Sequence, residues 1–115
     1  MHLPLTPERV AAAYDLLRLF EPFCRWHLPP SSEITFRIIR TKTKYGDYNG
    51  PPHTIRVSSA TIGHIDNLLR LLGHEVIHLK LRMSGRRNWD THGAEFRKLA
   101  HAVCRLHGYD LGHFI

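Results

Sequence analysis

His74-Glu75-Val76-Ile77-His78 places two imidazoles four residues apart, with a carboxylate beside the first. On a helix, residues i and i+4 lie one turn above each other on the same face. Both rings of such a pair can point a nitrogen at one ion. Neutral imidazole with no redox demand suits Zn2+. The helical period of 3.6 residues turns Glu75 about 100° away from His74, so it flanks such an ion instead of ligating it. A carboxylate placed there can take a proton from an attacking water, which is the chemistry of the H-E-x-x-H pattern.

The surroundings of the motif separate this reading from a chance match on a solvated helix. Leu68, Leu69, Leu71, Leu72, Val76, Ile77, Leu79 and Leu81 are too many for one narrow stripe. A helix apolar on most sides is buried on most sides. His74, Glu75 and His78 left there without partners would cost on the order of several kcal/mol. A metal meets that cost and bulk solvent does not. One Zn2+ per chain is therefore expected. A catalytic zinc takes three protein ligands and keeps a fourth position for water. The extended pattern H-E-x-x-H-x-x-G-x-x-H fails here, because Leu81 stands where glycine is needed and Ser84 where the third histidine is needed. Downstream, Thr91-His92-Gly93-Ala94-Glu95-Phe96 offers two candidates, His92 and Glu95, both near the start of the next helix.

The elements that must position these groups follow from periodicity and punctuation. Thr6-Pro7-Glu8 reads as a helix start. Val10, Ala13, Tyr14, Leu17 and Phe20 form its apolar face, and the prolines bring it to an end by Arg25 at the latest. Ile34–Arg40 reads as a strand, Thr41–Tyr48 as a second and more exposed one, and His53–Val57 as a third. Asn49-Gly50-Pro51-Pro52 is turn chemistry. Ser58, Ser59 and Thr61 offer N-caps for a helix from Ile62 to Met83, which Ser84-Gly85 stops. A last helix starts near Thr91 or Gly93, buries Phe96, Leu99, Ala100, Val103 and Cys104, and ends at Gly108. The expected class is α+β: an N-terminal helix, a small three-stranded sheet, a buried H-E-x-x-H helix and a C-terminal helix, a minimal zincin-like domain spanning residues 1–115.

Composition agrees with one soluble domain. The chain has 115 residues, 43% hydrophobic and 23% charged, which excludes a disordered chain and a fibre. No apolar stretch approaches the roughly 20 residues of a membrane helix, so no membrane partner is expected. The Met1–Leu5 start lacks the pattern of a signal peptide. The two cysteines, Cys24 and Cys104, read as buried free thiols of a reducing compartment. A cytoplasmic monomer is expected. The ten histidines are an excess in keeping with a metal site.

A formal charge of +6 points to a polyanionic partner. Arg37, Arg40, Lys42, Lys44 and Arg56 fall on the strands with Tyr45 and Tyr48 among them. Lys80, Arg82, Arg86 and Arg87 precede Trp89. Cations for phosphates and rings for unstacked bases are what single-stranded nucleic acid binding uses. Alternating Lys and Thr also serve simply to protect an exposed strand edge.

HEVIH, a short basic loop and then HGAEF resemble the SprT-like metallopeptidases, whose pattern is a helical H-E-x-x-H followed by H-G-x-x-F. The resemblance implies a Spartan-like protease core with His74, His78 and His92 as zinc ligands and Glu75 as catalytic base, leaving Glu95 as a supporting acid. It implies peptide-bond hydrolysis on proteins bound or crosslinked to DNA; the mix of cations and rings favours single-stranded DNA, and DNA association would place the protein at the nucleoid or in the nucleus. With two cysteines in these 115 residues, no cysteine-based zinc ribbon is expected. Two other readings stand beside it: a general zinc peptidase with no nucleic-acid role, and a non-catalytic DNA-binding module with structural zinc. The second leaves Glu75 without a purpose.

Overall fold

Thr6 opens the first helix, α1 (Pro7–Leu17), by accepting the Arg9 amide on its hydroxyl at 3.1 Å, and Pro7 sits where no amide donor is needed. The computed structural model describes residues 4–115; Met1, His2 and Leu3, part of the segment read as lacking a leader, lie outside the described residues. Val10, Ala13, Tyr14 and Leu17 turn inward at helical spacing. The helix ends at Leu17, well before Arg25. Phe20, expected on the apolar face, is therefore 45% exposed, and Phe23 in the following 3-10 turn is buried instead. Cys24 in that turn is exposed, contrary to expectation, while Cys104 is buried as expected.

The sheet holds β1 (Thr35–Ile39), β2 (Gly46–Asn49) and β3 (Thr54–Ser58) in the order β1-β3-β2. β1 runs parallel to β3, and β2 runs antiparallel to it. Phe36, Ile55 and Tyr48 share one register row and are buried. The next row carries Arg37, Arg56 and Asp47 to the opposite face. There Asp47 accepts hydrogen bonds from Arg56 and from Lys44, the latter at 2.6 Å. Those bonds, the Arg56 one foremost, hold the Asp47 carboxyl below its usual range against the opposing effect of its partial burial.

The second strand is half as long as expected. Residues 41–45 form a loop because hydroxyls satisfy its backbone in place of a ladder. The fully buried Ser58 accepts the Thr41 amide at 3.1 Å and donates its own hydroxyl hydrogen to the Thr41 carbonyl at 2.5 Å. Its amide donates to the Tyr45 carbonyl at 2.7 Å. Thr61 donates to the Lys44 carbonyl at 3.2 Å. Both residues, read as helix caps, are thus committed to the loop. The next helix, α2 (Ile65–Met83), starts three residues late, with His64 at its N-cap and no side-chain cap.

α2 is the centre of the molecule: α1, β2, α3 (Ala94–His107) and a short α4 (Leu111–Phe114) all pack on it. That explains its near-continuous apolar composition. Gly108 closes α3 at φ 74°, a left-handed turn that glycine adopts without strain. α4 has no counterpart in the sequence reading; Asp110 caps it by accepting the His113 amide at 3.1 Å. Among the described residues no helix is long and apolar enough to cross a membrane.

Ser58→Ala removes a buried hydroxyl that pairs both backbone groups of Thr41. Orphaning a buried donor costs roughly 1–3 kcal/mol. Thermal unfolding by circular dichroism should show that loss. Amide exchange should show the 41–45 loop opening first, and an unchanged melting curve would mean that Ser58 does not anchor the loop.

Candidate metal centre

His74 and His78 project from the same face of α2, as their spacing requires. His92 arrives from the loop just before α3, so it precedes the helix on whose first turn it was expected. One ring nitrogen from each of the three lies within 4.8 Å of the others, and this is the metal-competent group among the described residues. The ring centroids are 5.1 Å apart for His74–His78, 4.8 Å for His74–His92 and 5.2 Å for His78–His92. Glu95, the rival third ligand, is not in the group. It lies in the first turn of α3, 3.7 Å from Arg86, where a negative charge also favours the helix dipole.

Two backbone carbonyls orient the pair on α2. The Nδ1–H of His74 donates to the Phe114 carbonyl at 2.7 Å, and that of His78 to the Trp89 carbonyl at 2.6 Å. Both rings are thereby held in the tautomer that leaves Nε2 free to ligate, the usual outer arrangement of a histidine metal site. Phe96, buried to 1% exposure, forms a common floor, with its ring 5.0, 4.7 and 4.5 Å from those of His74, His78 and His92. The phenylalanine of the second motif therefore packs against all three imidazoles.

Burial drives these groups to neutrality. The His74 imidazole is pulled down to about 4, chiefly by desolvation, and those of His78 and His92 are lowered for the same reason. Neutral imidazole is the ligating form. Burial pushes the Glu75 carboxyl up to about 8, with the Asp47 charge adding to the rise and Lys44 opposing it. Glu75 is 5% exposed and makes no side-chain hydrogen bond to the described residues. A buried carboxyl without a partner beside three neutral imidazoles with free nitrogens is a site short of positive charge, and Zn2+ fits that donor set. Three further histidines lie outside the group. His64 is the α2 N-cap, His101 is exposed, and the His107 Nε2–H donates to the Glu21 carbonyl at 2.6 Å.

The basic clusters come out unevenly. Tyr45 is 59% exposed and Lys42 is exposed, whereas Lys44 is paired with Asp47. Tyr48, expected as a stacking ring, is buried and bonded through its hydroxyl to His53 Nδ1 at 2.7 Å, because its register row faces the core. The half-buried Trp89 meets Tyr48 edge to face at 5.6 Å, and Arg82 covers its ring at 5.0 Å. Arg86 and Arg87 are exposed. The Tyr48–Trp89 contact brings the two clusters side by side. Sequence reasoning missed Phe114 and Trp89 as hydrogen-bond acceptors. They act through backbone oxygens, which carry no side-chain signal. The floor role of Phe96 was visible only as a motif position.

His92→Ala should lower zinc affinity by more than the roughly 10–100-fold typical of losing an outer hydrogen bond to a ligand. Competitive titration against a zinc indicator measures it. Full zinc binding in His92→Ala, with loss in Glu95→Ala, would reassign the third ligand.

No curated protein shows a significant match to the chain. The SprT-like family model matches residues 13–111, which runs from the second half of α1 to the start of α4 and takes in both histidine motifs. The convergence of His74, His78 and His92 on one point is what a metallopeptidase-like family requires, and by that match the chain belongs to the SprT-like family.

Proposed function

We propose that the chain is a zinc-dependent endopeptidase whose substrates are proteins bound or crosslinked to DNA. The observation that carries the reading is Glu75, a buried and unpartnered carboxyl on the cavity wall beside the three converging imidazoles. A structural zinc site has no use for such a group. His74, His78 and His92 would hold the ion, with the Nδ1 bonds of the first two fixing their rings. Zinc bound there supplies a Lewis acid that polarises the scissile carbonyl. Glu75 takes the proton of the attacking water and delivers it to the leaving amine. β2 is an edge strand and its first residue, Gly46, lines the cavity with His74 and Glu75. An extended substrate pairs with that edge through backbone hydrogen bonds. The edge is Gly46–Asn49, shorter than the Thr41–Tyr48 strand expected from sequence.

Exposed Lys42, Tyr45, Arg86 and Arg87 support contact with a nucleic-acid backbone, single-stranded by preference, since no element among the described residues resembles a groove-reading helix. The pairing of Lys44 and Arg56 with Asp47 and the burial of Tyr48 favour the second reading, a zinc peptidase without a nucleic-acid role.

Glu75→Gln should keep zinc and the fold while losing about 10²–10⁴-fold in cleavage rate. Metal analysis and a casein or peptide assay check this, and an active variant would remove Glu75 from the mechanism. Labelled single- and double-stranded oligonucleotides titrated across a salt series test the DNA reading. Each phosphate contact on a single strand contributes about 0.7 to the log–log slope. Reversing Arg86 and Arg87 to Glu should weaken binding for every sequence alike and leave zinc unchanged. Trp89→Ala should act on stability more than on binding, given how far its ring is covered. No binding at low salt leaves the second reading.

A further inference from the structure

The cavity beside His74 and Glu75 has a volume of about 370 Å³, enough for a substrate side chain. Its lining mixes apolar Ile62, Leu71 and Ile115 with polar Asn67 and Arg70. Asn67, Arg70 and His74 recur at three- and four-residue intervals on α2, so one face of the helix runs from the imidazoles into the cavity. The guanidinium of Arg70 is half-buried. It donates to the Asn67 side-chain oxygen at 2.8 Å, and among the described residues no carboxylate lies within ion-pair distance of it. Glu75 is the one acidic side chain among the described residues on the wall, and Lys44, which also lines it, is paired with Asp47. One amide oxygen satisfies a single donor of the five that guanidinium carries. A half-buried arginine with donors to spare, in a cavity that also presents apolar side chains, matches a carboxylate in shape and charge.

We propose that this cavity receives a substrate carboxylate next to the scissile bond and that Arg70 is the residue that selects it. The proposal rests on the peptidase reading for its placement beside Glu75. Either an internal Glu or Asp side chain or the free C-terminus of a peptide supplies the same chemistry. Asn67 holds Arg70 in place, and the apolar side chains of the lining take the methylenes that carry the acid.

The test uses fluorescein-labelled peptides that differ at one position, Glu, Gln or Lys, each made with a free acid or an amide C-terminus. Equilibrium binding to zinc-loaded Glu75→Gln protein is read by fluorescence anisotropy, and cleavage by the unmodified protein is read in parallel. A carboxylate ligand should bind roughly tenfold tighter than its uncharged counterpart. The Glu/Gln pair reports the side chain and the acid/amide pair reports the terminus. Arg70→Gln should abolish whichever preference appears, Arg70→Lys should retain part of it, and Arg70→Glu should turn it toward Lys. Equal binding of charged and uncharged peptides overturns the proposal, as does a preference that survives Arg70→Gln in protein with a normal melting curve. Should Arg70→Gln fail to fold, the Glu/Gln and acid/amide comparisons decide alone. Arg70-dependent binding without cleavage of any peptide supports the cavity and overturns the peptidase reading; cleavage without preference does the reverse.

Discussion

Two imidazoles and a carboxyl group are held on a helix that every neighbouring element covers, and their desolvation is the constraint on which the rest of the site depends. Groups of this kind persist in an apolar environment only when their polar atoms are engaged. Backbone carbonyls from two distant segments engage the inner nitrogens of His74 and His78, and the same burial keeps the rings neutral. What is left facing the cleft is a set of free nitrogen lone pairs and a carboxyl whose protonation is displaced upward. At these three groups the atoms left without a partner are those that an ion and a reacting water would engage.

The supporting structure follows from that demand. Phe96 fills the space under all three rings, so their positions depend on where α3 begins as much as on α2. α4 is only four residues long, too short to be stable alone, yet its last residue carries the carbonyl that orients His74. Segments that look like connections, the 86–93 loop and the 109–115 tail, are thereby parts of the site. The loop over the sheet is built in the same manner, with Ser58 replacing the missing ladder partner of Thr41.

Charge is distributed with similar economy. On the outer face of the sheet Asp47 pairs with both Arg56 and Lys44, while Arg37 in the same row and the cations of the flanking loops stay exposed. Inside the cavity Arg70 stays without an acid of its own.

Local pattern determined much of this protein. The i,i+4 histidines, the Thr6 cap, the terminating Gly85 and Gly108, and the apolar richness of α2 are short-range properties, and helices obey short-range rules. Spacing alone left His92 and Glu95 level, since both stand close to the start of α3 and which one meets the pair depends on the angle at which α3 crosses α2. Only the tertiary structure decided that, along with the acceptors for the imidazoles, one of them 40 residues away in sequence. Tertiary contacts also buried Tyr48, exposed Cys24 and Phe20, and converted half of an expected strand into a loop. Each of these turns on which distant group lies opposite. Residue type and periodicity carry no record of that, because a hydroxyl or a backbone carbonyl serves equally well from any segment the fold brings near.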